Sequence, residues 1–235
     1  MFTESPELYD AIYTFKNYRA EAQHVAALIR HANPDARSIL DVACGTGEHA
    51  LWLTADHGFS VDGVDLDDRL LTVARQKVPN GRFVQADMEA FTLDRRYDAV
   101  ICLFSSIAYL LTSARMTTAL ECFRRHIAPG GVVVVEPWFE PGVIDPGRVS
   151  RVRAELPHGH VERVSQIEVA DRVSRIHFRY EIETDARCWG ASEVHELGLF
   201  TVDDMRAAFN AAGLTATFDA SGLAGRGLWV ATTVA

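Results

Sequence analysis

Hydrophobic and polar positions indicate alternating strands and helices up to about residue 147, and strands alone from there to about residue 199. In the first part, short apolar runs alternate with segments of helical spacing, which predicts strands and helices in turn. The run at 98–104 is almost wholly apolar, as expected of a parallel strand buried on both faces. The pattern predicts strands at 37–42, 59–65, 82–85, 98–104 and 132–135, and helices at 46–56, 67–77 and 114–126.

The second part, residues 148–199, loses the helical period and alternates as strands do. Two apolar series carry the alternation, and a turn is predicted between them near Asp171. This pattern predicts an antiparallel meander inserted in the path of the core sheet. The two series are Val161, Val164, Ile167 and Val169, followed by Val173, Ile176, Phe178, Tyr180 and Ile182.

The N-terminal segment, residues 5–33, is predicted to be helical. Leu8, Ile12 and Phe15 lie about one turn apart, which indicates a single apolar face. The helix is expected to stop before Pro34, because the residue that precedes a proline avoids the helical conformation.

The C-terminal segment is predicted to complete the sheet. Thr201 is a good N-cap for a helix at 201–212. Two strands follow, at 214–219 and 227–233, and the short connection between them allows an antiparallel pair.

A glycine turn follows the first predicted strand. That strand ends near Asp41, two glycines follow at Gly45 and Gly47, and a helical pattern begins after them. Glycine permits such a sharp turn and lets a ligand approach the main chain. The spacing fits the dinucleotide fingerprint of NAD enzymes, but it also suits S-adenosylmethionine (SAM). Asp65, about 20 residues on, fits a ribose contact in either class, so the turn by itself leaves both cofactors open.

Composition narrows the class of protein further. With 235 residues and 48% hydrophobic content, the chain can bury the core of one α/β domain. The formal net charge of −9 disfavours a nucleic-acid partner. No apolar run reaches about 18 residues, so we expect no membrane-spanning helix.

Cysteine usage and the first residues bear on location. The four cysteines show no paired spacing, which favours reduced thiols. The first six residues lack the basic and apolar stretches of a signal peptide. We therefore expect a cytoplasmic protein. No His, Cys and Asp cluster has metal-ligand spacing, so no metal is expected.

The segment Asp41-Val42-Ala43-Cys44-Gly45-Thr46-Gly47 resembles the first motif of class I SAM-dependent methyltransferases, with alanine at Ala43 where the family often has glycine. Further matches come in that family's order and spacing: Val64-Asp65, Gln85-Ala86-Asp87-Met88, Tyr97-Asp98-Ala99-Val100-Ile101 and Pro129-Gly130-Gly131. The resemblance implies SAM as cofactor, with S-adenosylhomocysteine as product. It also implies an α/β fold with a Rossmann-like, mainly parallel sheet whose last strand is antiparallel, and the meander as a lid.

On this resemblance, the whole chain, 1–235, is expected to be one methyltransferase domain. Its expected parts are an N-terminal helical cap (1–36), a SAM-binding core (37–138), an inserted β-meander that covers the substrate (139–199) and a segment that completes the core (200–235).

Further motifs resemble the TDP-amino-sugar N-methyltransferases of the desosamine and mycaminose kind. They lie at residues 40–47, 104–110, 129–138 and 225–228. The chain departs from those enzymes at three places. The segment between Tyr9 and Tyr18 is about two residues shorter, Phe139 stands where they often have tryptophan, and the meander sequence is less similar. The resemblance implies N-methylation of the amine of a nucleotide-linked amino sugar. Alternatives are N- or O-methylation of another small metabolite, an NAD-dependent oxidoreductase, and a non-catalytic binding module.

The expected cofactor contacts lie at the ends of the predicted strands. Asp65 would accept from the ribose hydroxyls and Asp87 from the adenine amine, although Asp87 also suits an Asx turn. Tyr9 and Tyr18 would close over the sulfonium by cation–π contact, or else pack the helix on the sheet. The predicted set is Tyr9, Tyr18, Ala43, Gly45, Gly47, Asp65, Leu66, Asp87, Met88 and Leu103.

Tyr109 is the candidate catalytic residue, because it follows the carboxyl end of a central strand, where open α/β sheets bind ligands. It would orient the amine or take its proton through water; the alternative is a core aromatic. His126 is expected to cap a helix C-terminus rather than act as a base.

The candidate substrate residues are Trp138, His195 and Arg226. Arg226, between two glycines, would pair with a diphosphate, or else close a turn or pair with a surface carboxylate. Secondary candidates are Arg148, Arg151 and Arg153. The sequence leaves five points open: the identity of the acceptor, the choice between N- and O-methylation, the number of methyl groups added, the use of a general base, and whether the protein forms a homodimer.

Overall fold

The structure, a computed structural model, describes residues 6–233, with side chains described from Leu8 onward. The predicted bounds that fall on residues 1–5 and 234–235 lie outside the described residues. The described strands form one seven-stranded sheet and one four-stranded sheet. The order in the larger sheet is β10-β11-β5-β4-β1-β2-β3. Its strands are β1 (Ser38–Val42), β2 (Ser60–Asp65), β3 (Phe83–Gln85), β4 (Tyr97–Cys102), β5 (Ile127–Val135), β10 (Leu214–Asp219) and β11 (Leu228–Thr233).

The larger sheet confirms the predicted fold class. Strand β1 pairs in parallel with β2 and β4, and β2 with β3 and β4 with β5 are parallel as well. Strand β11 runs antiparallel to both β5 and β10. Because β1 to β4 are parallel, their carboxyl ends meet at one edge of the sheet, where ligands bind in open α/β folds.

Helices cover both faces of this sheet, and each face has its own apolar cluster. One cluster includes Phe123, Phe209 and Trp229, and the other includes Ile29 and Leu53. The central strands are buried from both sides, which explains their unbroken apolar sequence. The helices are α1 (Pro6–Ile12), α2 (Tyr18–Ala32), α3 (Glu48–Ala55), α4 (Asp68–Lys77), α5 (Ser113–His126) and α6 (Val202–Ala211).

The smaller sheet is the predicted antiparallel meander. Its strands pair in the order β6-β7-β8-β9, and the turn predicted near Asp171 joins β7 to β8. Its inner face packs against α1 and a short 3₁₀ helix, Ser106–Leu110, that follows β4. Buried polar side chains interrupt that otherwise apolar face, among them Arg163, Glu193 and His195. The strands are β6 (Val149–Leu156), β7 (Gly159–Ala170), β8 (Val173–Thr184) and β9 (Cys188–Gly198).

One element differs from the sequence prediction. The single helix predicted at 5–33 is wrong over residues 13–17, where the chain breaks between α1 and α2. The side chain of Asn17 accepts a hydrogen bond from the Ala20 amide at 3.0 Å, so it caps a new helix instead of continuing the first. Leu8 and Ile12 are buried as predicted, but Phe15 is 67% exposed.

Among the described helices, none combines the length and the apolar composition that crossing a bilayer would require.

The break before α2 generates a test of stability. Replacing Asn17 by alanine removes the cap and is expected to lower the free energy of unfolding by about 1 kcal/mol in urea denaturation. Replacing it by serine keeps a capping oxygen, so the loss should stay below about 0.5 kcal/mol. Equal losses in both variants would contradict the assignment of the cap.

Candidate active site

The glycine turn between β1 and α3 is held in the left-handed region. Ala43, Gly45 and Gly47 have φ angles of 57°, 56° and 76°. A Cβ added at Gly45 would meet no atom within 4 Å, so this glycine borders open space. A Cβ at Gly47 would lie 3.0 Å from the Cβ of Ala74, so this glycine lets α3 and α4 pack closely. The two glycines therefore have different physical roles.

Two cavities meet at this turn. The larger, of about 310 Å³, is lined by Tyr9, Ala43, Gly45, Asp65, Leu66, Met88 and Tyr109, among others. The smaller continues past the turn, with Tyr18, Asp41, Thr46, His49, Leu103 and Phe104 in its wall. Both cavities share Tyr9, Ala43, Gly45 and Ser106. A long ligand lying across the turn would therefore touch these four residues near its middle.

Asp65 ties the second strand to the turn. Its Oδ2 accepts from the Gly45 amide at 2.8 Å and its Oδ1 from the Asp67 amide at 2.9 Å. Burial raises the pKa of the Asp65 carboxyl above its usual value. Because a carboxylate oxygen accepts more than one hydrogen bond, Asp65 can also accept from a ligand in the cavity.

Asp41 is a site residue that the sequence analysis left out of the predicted set. It is buried and faces the smaller cavity. None of the described residues offers a hydrogen bond to its Oδ2. Burial, followed by the neighbouring Asp65, raises the pKa of Asp41 to about 8. The position of Asp41 within a strand does not indicate that its Oδ2 is buried without a partner. That burial depends on the side chains that form the cavity wall.

Tyrosines from the N-terminal segment lie over the turn. The Tyr9 ring packs on Tyr13, with ring centroids 4.7 Å apart, and Tyr9 borders both cavities. Burial, then the nearby Tyr18 and Tyr13 hydroxyls, raises the pKa of Tyr9, and burial also raises that of Tyr18. These phenols are therefore neutral at physiological pH. The Lys16 ammonium already lies over the Tyr18 ring, 5.1 Å from its centroid, so Tyr9, which borders both cavities, is the better placed of the two rings for contact with a ligand cation.

Helix α1, which carries Tyr9, is fastened to the core by Asp10. One Asp10 oxygen accepts from the Thr46 hydroxyl in the glycine turn, and the other accepts from the Lys77 ammonium at the end of α4, each at 2.6 Å. Lys77 also donates to Glu48 at 2.6 Å. This set connects segments far apart in the chain, so the sequence pattern did not reveal it.

Tyr109 lines the larger cavity with its ring, which leaves the side chain 38% exposed. Its hydroxyl turns inward and makes a hydrogen bond with Nδ1 of His195. Burial raises the pKa of Tyr109. Tyr109 therefore lies between His195 and the cavity, and His195 can act on a ligand there only through the Tyr109 hydroxyl.

The other predicted residues lie elsewhere. Asp87 is exposed, and its Oδ1 accepts from the Glu89 amide at 2.9 Å, which is the Asx turn named as its alternative. The Trp138 indole donates to the Ser174 hydroxyl at 3.0 Å. The Arg226 guanidinium pairs with the carboxylate of Glu136, which is buried rather than at the surface. The adenine role of Asp87 and the substrate roles of Trp138 and Arg226 stay predictions.

His126 and two of the three secondary arginines, Arg151 and Arg153, have structural partners. His126, at the end of α5, contacts the Cys122 carbonyl through Nδ1 at 2.8 Å, and its Nε2 accepts from the Leu93 amide at 3.1 Å. Arg151 pairs with Glu162 and Arg153 with Glu155, on exposed positions of the meander. Within residues 6–233, no group of three or more His, Cys, Asp or Glu side chains is arranged to hold a metal.

Comparison with known proteins identifies the family. Residues 39–131 match the family model of the methyltransferase domain. Over 229 residues, the chain is 41% identical to the dTDP-3-amino-3,6-dideoxy-alpha-D-glucopyranose N,N-dimethyltransferase of Streptomyces fradiae, covering 96% of this chain and 89% of that enzyme. The chain belongs to the SAM-dependent methyltransferase family.

Solved structures agree with this membership. The methyltransferase resembles the crystal structure of Streptomyces venezuelae DesVI with a TM-score of 0.92 and 36% identity, each chain being covered completely. It also resembles a SAM-bound amino pentose methyltransferase from Micromonospora echinaspora, with a TM-score of 0.86, 37% identity and coverage of 100% and 98%. The choice between NAD and SAM is thereby decided for SAM.

The residues present in this methyltransferase fit SAM. The orphaned oxygen of Asp41 suits the α-ammonium of the methionine part, and the open approach at Gly45 suits a ligand that lies against the backbone. Asp65 suits the ribose, and the ring of Tyr9, at the junction of the cavities, suits a positive sulfur. These individual contacts stay predictions.

The raised pKa of Asp41 predicts a specific pH dependence. An unfolded aspartate has a pKa of about 3.9, so between about pH 4 and 8 the folded protein holds a proton that the unfolded chain has released. Stability therefore falls across this window as pH rises, by at most about 1.4 kcal/mol per pH unit. Urea denaturation should show Asp41→Asn gaining stability over the wild type from pH 5 to 8. Asp35→Asn, at an exposed position, is the control and should show no such trend.

Asp65 predicts an effect on cofactor affinity. Replacing Asp65 by alanine leaves the ribose hydroxyls and the Gly45 amide without an acceptor. SAM binding measured by calorimetry should weaken by about 1–3 kcal/mol. An unchanged SAM affinity would remove the ribose assignment.

Proposed function

We propose that this enzyme N-methylates the amine of a nucleotide-linked amino sugar, with SAM as the methyl donor. The similarity to a dTDP-amino-sugar N,N-dimethyltransferase supports the proposal, because it covers 96% of this chain and therefore includes the meander as well as the cofactor core. On this proposal, the meander segment 139–199 covers the acceptor, the core segment 37–138 holds SAM, segment 1–36 caps the site and segment 200–235 completes the core.

A basic groove supports a nucleotide diphosphate as part of the acceptor. A groove of about 480 Å³ lies between the start of α2 and the loop after β10, with Lys16, His24 and Arg226 among its lining residues. Glu21 also lines the groove and pairs with Lys16, which leaves His24 and Arg226 as the main basic side chains toward an anion. Phe104 borders both this groove and the smaller cofactor cavity, so a ligand in the groove lies next to the cofactor. The chain as a whole is acidic, so an anion would need such local basic side chains.

Arg226 retains donors for an anion after pairing with Glu136. One terminal nitrogen donates to Glu136, while no described residue accepts from Nε. Glu136 also accepts from the Phe104 amide at 2.7 Å, so its position is fixed from two sides. A guanidinium held in this way keeps a constant orientation, which favours recognition of phosphate oxygens.

Methyl transfer depends mainly on alignment of the acceptor amine with the methyl group. When bound, SAM supplies a methyl group on a positively charged sulfur that is already a good leaving group. The amine must be neutral to attack, and the neutral phenols of Tyr9 and Tyr109 in the cavity wall do not stabilise its charged form, although the Asp65 carboxyl also lines this cavity. Holding the reacting atoms about 3–3.5 Å apart supplies much of the acceleration. Tyr109, at the cavity wall, is the residue that we propose orients the amine.

Steady-state kinetics with two acceptors tests the substrate class. The wild type should methylate a TDP-amino sugar with a much lower KM than the same free amino sugar, because the free sugar lacks the diphosphate. Equal KM and kcat for the two would remove the nucleotide-sugar proposal and direct the search to other small amines or alcohols.

Variants at Arg226 test the contact itself. A paired change, Arg226→Met with Glu136→Gln, avoids leaving a buried charge without a partner. It should raise KM for the TDP-amino sugar about 10–150-fold, which corresponds to about 1.5–3 kcal/mol, and leave SAM affinity unchanged. The matched control is Arg175→Met with Glu196→Gln, an ion pair on the outer face of the meander, which should leave KM unchanged. An unchanged KM in the Arg226 pair variant would contradict the diphosphate contact.

A further inference from the structure

A chain of polar side chains runs from the cofactor cavity into the inner face of the meander. Tyr109 makes a hydrogen bond with Nδ1 of His195, and Nε2 of His195 faces Oε1 of Glu193 at 3.3 Å. The Tyr180 hydroxyl donates to the same Glu193 oxygen. His195 and Glu193 are buried, at 3% and 8% exposure, so this series of side chains is largely shielded from water.

The hydrogen-bond directions from Tyr109 to His195 follow from the Glu193 carboxylate at the end of the series. A carboxylate accepts only, so Glu193 accepts from the Tyr180 hydroxyl. Its charge lies 3.3 Å from Nε2 of His195, at ion-pair distance rather than in an aligned hydrogen bond, and it favours a hydrogen on that nitrogen electrostatically. A neutral imidazole with its hydrogen on Nε2 has a bare Nδ1, which must accept from the Tyr109 hydroxyl. The Tyr109 oxygen therefore keeps its lone pairs free for a donor in the cavity.

Burying this series of polar side chains costs solvation free energy, which argues against a purely structural role. Ile176, Phe178 and Ile182 occupy the same inner face, so apolar residues can fill positions there. A buried carboxylate and imidazole lose the solvation of water and are often no more stabilising than apolar residues of similar volume.

The charged and titratable groups around His195 come from several elements. Glu193 lies on the same strand, Tyr180 on β8, Tyr109 on the 3₁₀ helix, and Asp65 acts on Tyr109 from the end of β2. Arg163 on β7 is also buried on this face, with its guanidinium 4.8 Å from the Phe178 ring centroid. Arg163 and Glu193 act on the pKa of Tyr180 in opposite directions, so both charges lie close to these side chains. The Glu193 carboxylate favours an imidazolium at His195, whereas the Arg163 guanidinium opposes it.

We propose that His195 and Glu193 are positioning residues that remove a proton from the acceptor amine through Tyr109. The inference rests on the proposed function, because it takes the acceptor to be an amine. The N–H bond of the ammonium breaks as its proton passes to the Tyr109 oxygen, and the Tyr109 O–H bond breaks as that proton passes to Nδ1 of His195. The result is a neutral amine with a lone pair for methyl transfer, a neutral tyrosine, and an imidazolium paired with Glu193.

The electrostatics of Tyr109 suit a relay better than a terminal base. Burial, with Tyr13, Glu193 and Asp65 nearby, raises the pKa of its phenol and disfavours a tyrosinate. A phenol that cannot hold the negative charge must release its own proton as it receives another, so the proton comes to rest on the imidazole.

Kinetics across pH with matched variants tests the relay. Glu193→Gln, His195→Gln and Tyr109→Phe should each lower kcat with the TDP-amino sugar about 10–100-fold at pH 7, with SAM affinity unchanged by calorimetry. The deficit should shrink above the pKa of the free amine, because the acceptor then arrives without its extra proton. Glu193→Asp should recover part of the activity. Glu196→Gln, on the same strand but exposed and paired with Arg175, is the control and should match the wild type.

Two outcomes would overturn the relay. A kcat within twofold of the wild type in all three variants at pH 7 would mean that alignment suffices. A deficit that is the same at every pH would mean that the residues only support the structure, which melting temperatures of the variants would corroborate.

A second measurement does not depend on the acceptor. Nitrogen NMR of the imidazole of His195 in the full chain should show the hydrogen on Nε2 and none on Nδ1, with a changed signal in Glu193→Gln. A hydrogen on Nδ1 would refute the relay even if the enzyme methylates a TDP-amino sugar. If the wild type does not methylate that sugar but the NMR result holds, the proposed function fails and the tautomer assignment stands.

Discussion

The hydrogen bond between the Asp65 carboxylate and the Gly45 amide is the constraint on which the site depends. It joins the end of β2 to the turn after β1, and it holds that turn in a left-handed conformation in which the main chain faces a cavity. The parallel pairing of β1 with β2 sets the two groups side by side. Any change that lengthens the turn or shifts the strand register by one residue would therefore remove both the turn and the acceptor for the ribose.

The site is built at a cost to stability. Asp41 and Asp65 are both buried at the same sheet edge, and the charge of Asp65 adds to burial in raising the pKa of Asp41. An apolar pair would be cheaper in the core. The arrangement becomes favourable when a ligand brings positive charge, and SAM brings two, on the sulfur and on the α-ammonium. A buried pair of carboxyl groups of this kind lowers stability as long as no cation lies beside it, which is common at functional sites.

Two peripheral elements complete the same cavity from opposite directions. Helix α1 brings Tyr9 over the junction and is fastened by the Asp10 contacts to Thr46 and Lys77. The meander brings His195 behind Tyr109, because alternate residues of β9 face inward. Neither element belongs to the parallel sheet, so residues on both can change while the cofactor turn stays the same.

The sequence by itself determined the fold class, the glycine turn and most of the predicted cavity wall, including Tyr9, Asp65 and Met88. These features are local: hydrophobic period defines strands and helices, and a left-handed turn needs glycine at fixed spacing. The break before α2 escaped prediction, because a capping side chain at Asn17 outweighed an apolar period that continued through it.

Contacts between distant segments were decided only by the tertiary structure. They include the orphaned oxygen of Asp41, the pairing of Arg226 with Glu136 and the chain from Tyr109 to Glu193. Each depends on strand register and on packing between elements up to about 90 residues apart, and nothing in the local sequence encodes such distances.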